Sequence, residues 1–193
     1  MEAKQQYYYS PEEYLELETA AEYKSEYYDG QIYPMAGGTP NHNQIAGNFY
    51  AALNFAFKGQ PYQVFMSDMR LWIPQKRLYT YPDVMVVSGQ LEFAEGRRDT
   101  ITNPLMIAEV LSESTANYDR GEKFKLYRTI SSLKEYIIIS QSDKQVEQFS
   151  KTIDNKWILS EYDEENALLA LTSVQFQISL LDIYDKVDFE SEA

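Results

Sequence analysis

Two carboxylates stand in apolar segments of this chain where a hydrocarbon side chain would cost less. Asp83 opens the run Tyr81-Pro82-Asp83-Val84-Met85-Val86-Val87, and Glu109 lies inside Leu105-Met106-Ile107-Ala108-Glu109-Val110-Leu111-Ser112. A buried carboxylate is expensive unless it is paired or binds a cation. Two of them on strands able to lie side by side are the ingredients of a divalent-metal site. The plain alternatives are a turn-capping aspartate after Pro82 and a glutamate pointing outward from an edge strand. Against the second, strand alternation puts Ile107, Glu109 and Leu111 on one face, a carboxylate among apolar neighbours.

The chain restricts which metal could serve. It has no cysteine and a single histidine, His42, so thiolate and multi-histidine sites are excluded. Oxygen ligands remain, which favour Mg²⁺, Mn²⁺ or Ca²⁺. Next comes the segment after Glu109. At about 100° per residue, Phe124, Leu126, Tyr127 and Ile130 span one helical arc, with Lys123 inside it and Lys125 opposite. A lysine on a core-facing arc must snorkel or meet an anion, and Glu109 is the nearest source of one. The plain reading is a structural salt bridge, with Tyr127 hydrogen-bonding in the same cluster. For His42, near a helix start, it is packing or hydrogen bonding, and Gly37-Gly38 reads as a break.

The elements that must position these groups follow from local signals. Ser10-Pro11-Glu12-Glu13 predicts a capped helix to about Thr19. Asp29-Gly30 predicts a tight hairpin within Ser25 to Tyr33. Thr39-Pro40 opens a longer helix with Ile45, Phe49, Leu53 and Phe57 on one stripe. Strands are expected near Gln63 to Phe65, Arg70 to Ile73, Val84 to Val87, around Glu109, and at Glu135 to Ile139, the last one central. A charged connector spans Gly89 to Asn103. Asp119-Arg120-Gly121-Glu122 has capping-box spacing and predicts a helix to about Ile130. Gln145 to Phe149 and Trp157 to Tyr162 read as hairpin-like strands at the edge or on one wet face, and Leu180 to Tyr184 as a final short helix. The order predicts an α/β (α+β) domain, a mixed sheet with helices on its faces.

One domain is expected from 193 residues that are 44 % hydrophobic and 15 % aromatic, with seventeen tyrosines against nine phenylalanines. We assign residues 1–9 to a flexible N-terminus, 10–185 to the domain and 186–193 to an acidic tail. The start lacks an apolar signal core and no run reaches a membrane span, so a cytoplasmic location is expected. A net charge of −13 argues against a general nucleic-acid coat protein. It leaves room for a nuclease with a metal and a local basic surface, and Arg70, Lys76, Arg77, Arg97, Arg98, Arg120, Lys123, Lys125 and Arg128 gather mid-chain.

Taken together, Pro82-Asp83, Glu109-Val110-Leu111-Ser112, Asp119-x-x-x-Lys123-x-x-x-Tyr127 and Glu135-Tyr136 resemble the Uma-two family of restriction endonuclease-like proteins, within the PD-(D/E)XK nuclease superfamily. Glu26-x-x-Asp29-Gly30, Met35 and His42 match as well, and the likeness covers about residues 10 to 185. The resemblance implies a restriction endonuclease-like core and an enzyme that hydrolyses DNA phosphodiester bonds with Mg²⁺ or Mn²⁺. It makes Asp83 and Glu109 the metal-binding carboxylates, adds the Val110 carbonyl as a ligand, and brings Glu26 and His42 near the metal. The superfamily's usual lysine would stand at Leu111. The resemblance implies that it has moved to Lys123, which the helical face selects independently. Lys123 would position or deprotonate the attacking water, the latter needing a depressed pKa, or stabilise phosphate charge. DNA is then the partner, and a homodimer is expected because superfamily nucleases commonly pair to cut two strands. Leu111 and the acidic balance motivate another reading, a catalytically inactive nuclease-fold module that binds nucleic acid or protein. A third is an enzyme acting on another phosphorylated substrate.

Overall fold

The computed structural model describes residues 7–112 and 118–190; residues 1–6 of the expected flexible N-terminus and 191–193 of the expected acidic tail lie outside them. The order of elements is helix α1 (Pro11–Ala20), β1 (Ser25–Tyr28), β2 (Gln31–Pro34), helix α2 (Pro40–Ala56), β3 (Tyr62–Met66), β4 (Arg70–Ile73), β5 (Leu78–Thr80), β6 (Val84–Ser88), β7 (Thr100–Ile101) and β8 (Met106–Leu111). A π-helical turn, Asp119–Lys123, runs into an α-helical turn, Phe124–Tyr127. Then come β9 (Glu135–Ser140), β10 (Val146–Lys151), β11 (Trp157–Tyr162), β12 (Leu168–Ala170), β13 (Gln177–Ser179) and a last helical turn, Leu180–Ile183.

The central sheet has six strands in the order β11-β10-β9-β8-β6-β3, with β8 and β9 parallel and the other neighbours antiparallel. This is the mixed sheet expected, with β9 central and β11 at an edge. A helix connects β8 to β9, as a parallel pair requires a crossover. One face of the sheet (Val84, Val86, Met106, Ala108, Val110, Ile137, Ile139) packs under the α2 stripe of Ile45, Phe49 and Leu53. The other (Met85, Val87, Ile107, Leu111, Ile138) packs under Phe124, Leu126, Tyr127 and Ile130. Both faces are dry, so β6, β8 and β9 read as near-continuous apolar runs.

A second sheet, β2-β1-β5-β4-β7, covers part of the helix-119–127 side through Leu71, Ile73 and Leu78. Sequence pattern places β4 as a strand but misses β5 and β7. They are three and two residues long, too short to show alternation. Beneath the β1–β2 hairpin, Tyr14, Tyr27 and Tyr79 form a separate aromatic cluster, with Trp72 stacked on Tyr79 at 3.9 Å.

α1 starts as predicted, with the Ser10 and Glu13 side chains each accepting from the other's backbone N–H. The helix after β8 differs. Asp119 does not cap it: Tyr118 is already helical, and the Asp119 carboxylate turns inward to Lys123 at 3.5 Å. Regular helix ends at Tyr127, a turn short of Ile130. At the chain ends, Tyr9 N donates to the Gly30 carbonyl at 3.0 Å. Asn41 exchanges hydrogen bonds with the Asp188 backbone at 2.7 and 3.1 Å.

The hairpin turn depends on Gly30. Asp29 and Gly30 have φ of 40° and 91°, the left-handed pair a two-residue turn needs. A Cβ on Gly30 would sit 2.2 Å from the Tyr8 ring. Gly47, inside α2, has nothing within 4 Å of that position. Gly30→Ala should therefore destabilise the protein by about 1–2 kcal/mol, and Gly47→Ala should stabilise it by about 0.5–1 kcal/mol. Urea melts of the two variants check the opposite signs.

Candidate active site

The register of β6 against β8 builds the site. Val84 pairs with Ala108 in antiparallel sense, so one step outward sets Asp83 opposite Glu109. The Asp83 backbone N lies 3.5 Å from Glu109 Oε2, and Val110 N donates to Asp83 Oδ2 at 2.8 Å. The approach to Asp83 is anchored elsewhere: Arg70 Nε donates to Tyr81 Oη, which donates to Glu18 Oε1, each at 2.8 Å. Burial and the bond to Glu18 push the Tyr81 phenol up to about 12. The Tyr81-Pro82 lead thus fixes where Asp83 stands, one residue before β6.

The helix over this sheet face delivers the partners. Lys123 Nζ lies 3.0 Å from Glu109 Oε1, 3.5 Å from Asp119 Oδ1 and 3.7 Å from Glu26 Oε1. Tyr127 Oη donates to Glu109 Oε1 at 2.6 Å. Lys125, on the opposite side, pairs with exposed Glu122. Glu26 enters from β1 and accepts a short hydrogen bond from Thr80 Oγ1 on β5. His42, in the first turn of α2, places Nε2 3.2 Å from Asp83 Oδ2. Gly38 makes room for it, since a Cβ there would stand 2.8 Å from His42 Nδ1. The glycine pair read only as a break thus has a steric reason.

The expected set is therefore together: Asp83, Glu109, Lys123, Tyr127, Glu26, His42 and the Val110 backbone. Sequence reading missed Thr80 and misassigned Asp119. The signal for Asp119 was available, because it lies four residues before Lys123 and eight before Tyr127, on their face. Nothing in the local sequence marks Thr80.

Charge is unbalanced here. Four carboxylates, Asp83, Glu109, Asp119 and Glu26, gather about Lys123 and the half-buried His42. Burial, with Asp83 and Asp119 adding to it and Lys123 and Tyr127 opposing, pushes the Glu109 carboxyl up to about 8. For Lys123, burial favours the neutral amine, but Glu109, Tyr127, Glu26 and Asp119 outweigh it and raise its pKa well above the usual lysine value. The depressed pKa that a general base requires is not found; the lysine is held as a cation. His42 also moves up: burial opposes, while the hydrogen bond and charge of Asp83 prevail, helped by Glu109 and Asp119.

The donor chemistry fits a hard divalent cation. Asp83 Oδ1 has no hydrogen-bond donor among the described residues, and Glu109 Oε2 has only the long contact to Asp83 N. Among the described residues no three His, Cys, Asp or Glu side chains converge as an all-protein cage. Two opposed carboxylates would suit Mg²⁺ or Mn²⁺, which are held by one or two carboxylates and complete their shells with water and phosphate oxygen.

These shifts predict a pH dependence without metal. Folded and unfolded chains both protonate Glu109 below about 4.5. As pH rises toward about 8 the folded state holds the proton that the unfolded state has lost, so stability falls across this window. In EDTA, Glu109→Gln should flatten that fall and equal or exceed the wild type at the upper end. Urea melts across the window check it; a parallel profile would contradict the shift.

The model of the Uma2 family, described as "Putative restriction endonuclease", matches residues 11–182. The chain is 44 % identical over 155 residues to "Uncharacterized protein sll1609" of Synechocystis sp., covering 80 % of this chain and 88 % of that one. It is 35 % identical over 182 residues to "Uncharacterized protein slr1290" of the same organism, covering 93 % of each. Its fold is that of an Anabaena variabilis protein described as a "putative nuclease belonging to DUF820", with a TM-score of 0.75, 18 % identity, and coverage of 91 % of this chain and 97 % of that one. Among the described residues no helix is long and apolar enough to cross a membrane.

Proposed function

Because the chain belongs to the Uma2 family, we propose that it is a metal-dependent endonuclease hydrolysing DNA phosphodiester bonds, with Asp83, Glu109 and the Val110 carbonyl holding Mg²⁺ or Mn²⁺. The observation that carries this reading is the opposition of Asp83 and Glu109 across β6 and β8, with Lys123 3.0 Å from Glu109. A bound divalent ion would polarise the scissile phosphate and lower the pKa of attacking water. The chain's own groups do the rest. Tyr127 and Lys123 engage Glu109 Oε1 and leave Oε2 on the Asp83 side. Val110 N and His42 both engage Oδ2 of Asp83, leaving its other oxygen without a donor among the described residues. Lys123, held cationic by its carboxylate neighbours, faces the charge that builds on phosphate in the transition state. Glu26, bridging Thr80 and Lys123, holds the amine in place.

We also read the protein as cytoplasmic and as acting in pairs, since cutting both strands takes two sites and Asp83 and Glu109 form one. The inert-module reading rests on Leu111, which is buried in the apolar core beside the site and puts no amine there.

Supercoiled plasmid with Mg²⁺ or Mn²⁺ tests the proposal. The wild type should nick or linearise it, and Asp83→Ala or Glu109→Ala should abolish cleavage. Lys123→Ala should lose roughly 100-fold or more, as for loss of a transition-state charge partner. Cleavage that survives both carboxylate substitutions would sink the assignment. An inactive protein that also binds no Mn²⁺ by calorimetry at millimolar concentration would establish the inert module.

A further inference from the structure

Helix α1 supplies no group of the site, yet it grips both segments that lead into it. Glu18, buried in its last turn, accepts from Ser25 N at 3.0 Å, from Ser25 Oγ at 2.5 Å and from Tyr81 Oη at 2.8 Å. Tyr14, four residues earlier and so on the same helix face, donates to the Ser25 carbonyl at 2.6 Å. Every polar group of Ser25 is thus held by α1. Ser25 stands immediately before Glu26, and Tyr81 two residues before Asp83.

The grip falls where the second sheet stops holding these segments together. β1 pairs with β5 at Tyr28–Leu78 and Tyr27–Tyr79, and the ladder ends there. Continued, the antiparallel register would set Glu26 beside Thr80 and Ser25 beside Tyr81. Side chains do that work instead. Thr80 Oγ1 donates to Glu26, and the Glu18 carboxylate bridges Ser25 to Tyr81. A second tie joins the same two segments: Lys24 Nζ donates to the Ser67 carbonyl at 2.9 Å, and Ser67 N to the Asp83 carbonyl at 3.2 Å. Arg70 completes the bridge. It is 7 % exposed and has no carboxylate at ion-pair distance among the described residues, so the Glu18 charge reaches it through the Tyr81 hydroxyl. A neutral amide cannot replace Glu18. Three donors point at its oxygens, and a glutamine would turn an NH₂ group toward at least one of them.

We propose that Glu18 is a positioning residue for the site, fixing the spacing of Glu26 and Asp83 by clasping Ser25 and Tyr81 together. This rests on the nuclease reading and adds to it a group that touches neither metal nor substrate. Releasing the clasp frees Asp83, one of the two carboxylates assigned to the ion. It also loosens Glu26, which lies 3.7 Å from Lys123.

Calorimetric titration of the metal-free full chain with Mn²⁺, beside plasmid cleavage, tests it. Glu18→Gln and Tyr81→Phe should each weaken Mn²⁺ binding roughly tenfold or more. The double variant should bind no worse than Glu18→Gln alone, because both changes cut one bridge. Ile178→Val, a cavity in the core on the opposite sheet face, is the stability control. It should lower the urea midpoint and leave Mn²⁺ affinity and cleavage unchanged. Folded single variants that bind Mn²⁺ like wild type would overturn the role, as would losses that multiply in the double variant. So would an Ile178→Val variant that loses Mn²⁺ affinity along with stability. If Glu18→Gln does not fold, Tyr81→Phe decides by the same tenfold criterion. A wild type that neither binds Mn²⁺ nor cuts removes the nuclease reading and the role of Glu18 with it. Wild-type binding and cleavage that both variants retain remove the role alone.

Discussion

Glu109 is a carboxylate on the inner face of a sheet, 3 % exposed, and the surroundings are arranged to tolerate it. A carboxylate left unpaired at such a place would be too costly to keep. Tyr127 and Lys123 must therefore lie on the same side of the crossover helix, and that helix must cross β8 where Glu109 emerges. The protonated form that burial favours and the Lys123 cation together relieve only part of the charge, because Asp83 and Asp119 stand close. The surplus of negative charge is the property that a divalent ion would match.

A second buried glutamate on the neighbouring strand shows the other solution. Glu135, with 0 % exposure, accepts from Gln148, from the backbone and hydroxyl of Thr172 and from those of Ser173. Neutral donors meet both its oxygens, and it ties the 171–174 loop to the sheet. Glu109 instead has one oxygen engaged by Tyr127 and Lys123 and the other facing Asp83. Of two strand glutamates, the incompletely satisfied one is the candidate ligand. The difference lies in the partners, not in the residue type or the depth of burial.

Much of this was legible in the sequence where a local rule applied. The Asp29-Gly30 turn, the α2 stripe, the alternation around Glu109 and the helical face holding Lys123 and Tyr127 are short-range patterns, and the structure realises each. Of the second sheet, the β1–β2 hairpin and β4 were legible but β5 and β7 were not, because they are short and acquire strand geometry only from their neighbours. Asp119 was misread for a related reason: capping-box spacing with Glu122 and an i,i+4 ion pair with Lys123 both start at Asp119, and only the buried Lys123 decides between them. The upward shift of Lys123 comes first from Glu109 and Tyr127 but also from Glu26, which is remote in sequence, and no periodicity reveals that approach. Resemblance to the family placed Glu26 and His42 near the site; the residues alone did not.

The most direct test is crystallographic. In crystals soaked with Mn²⁺, the account predicts an anomalous peak between the Asp83 and Glu109 carboxylates, at about 2.0–2.3 Å from an oxygen of each. No peak there at millimolar Mn²⁺, with Glu109 still bound to Tyr127 and Lys123 alone, would contradict it.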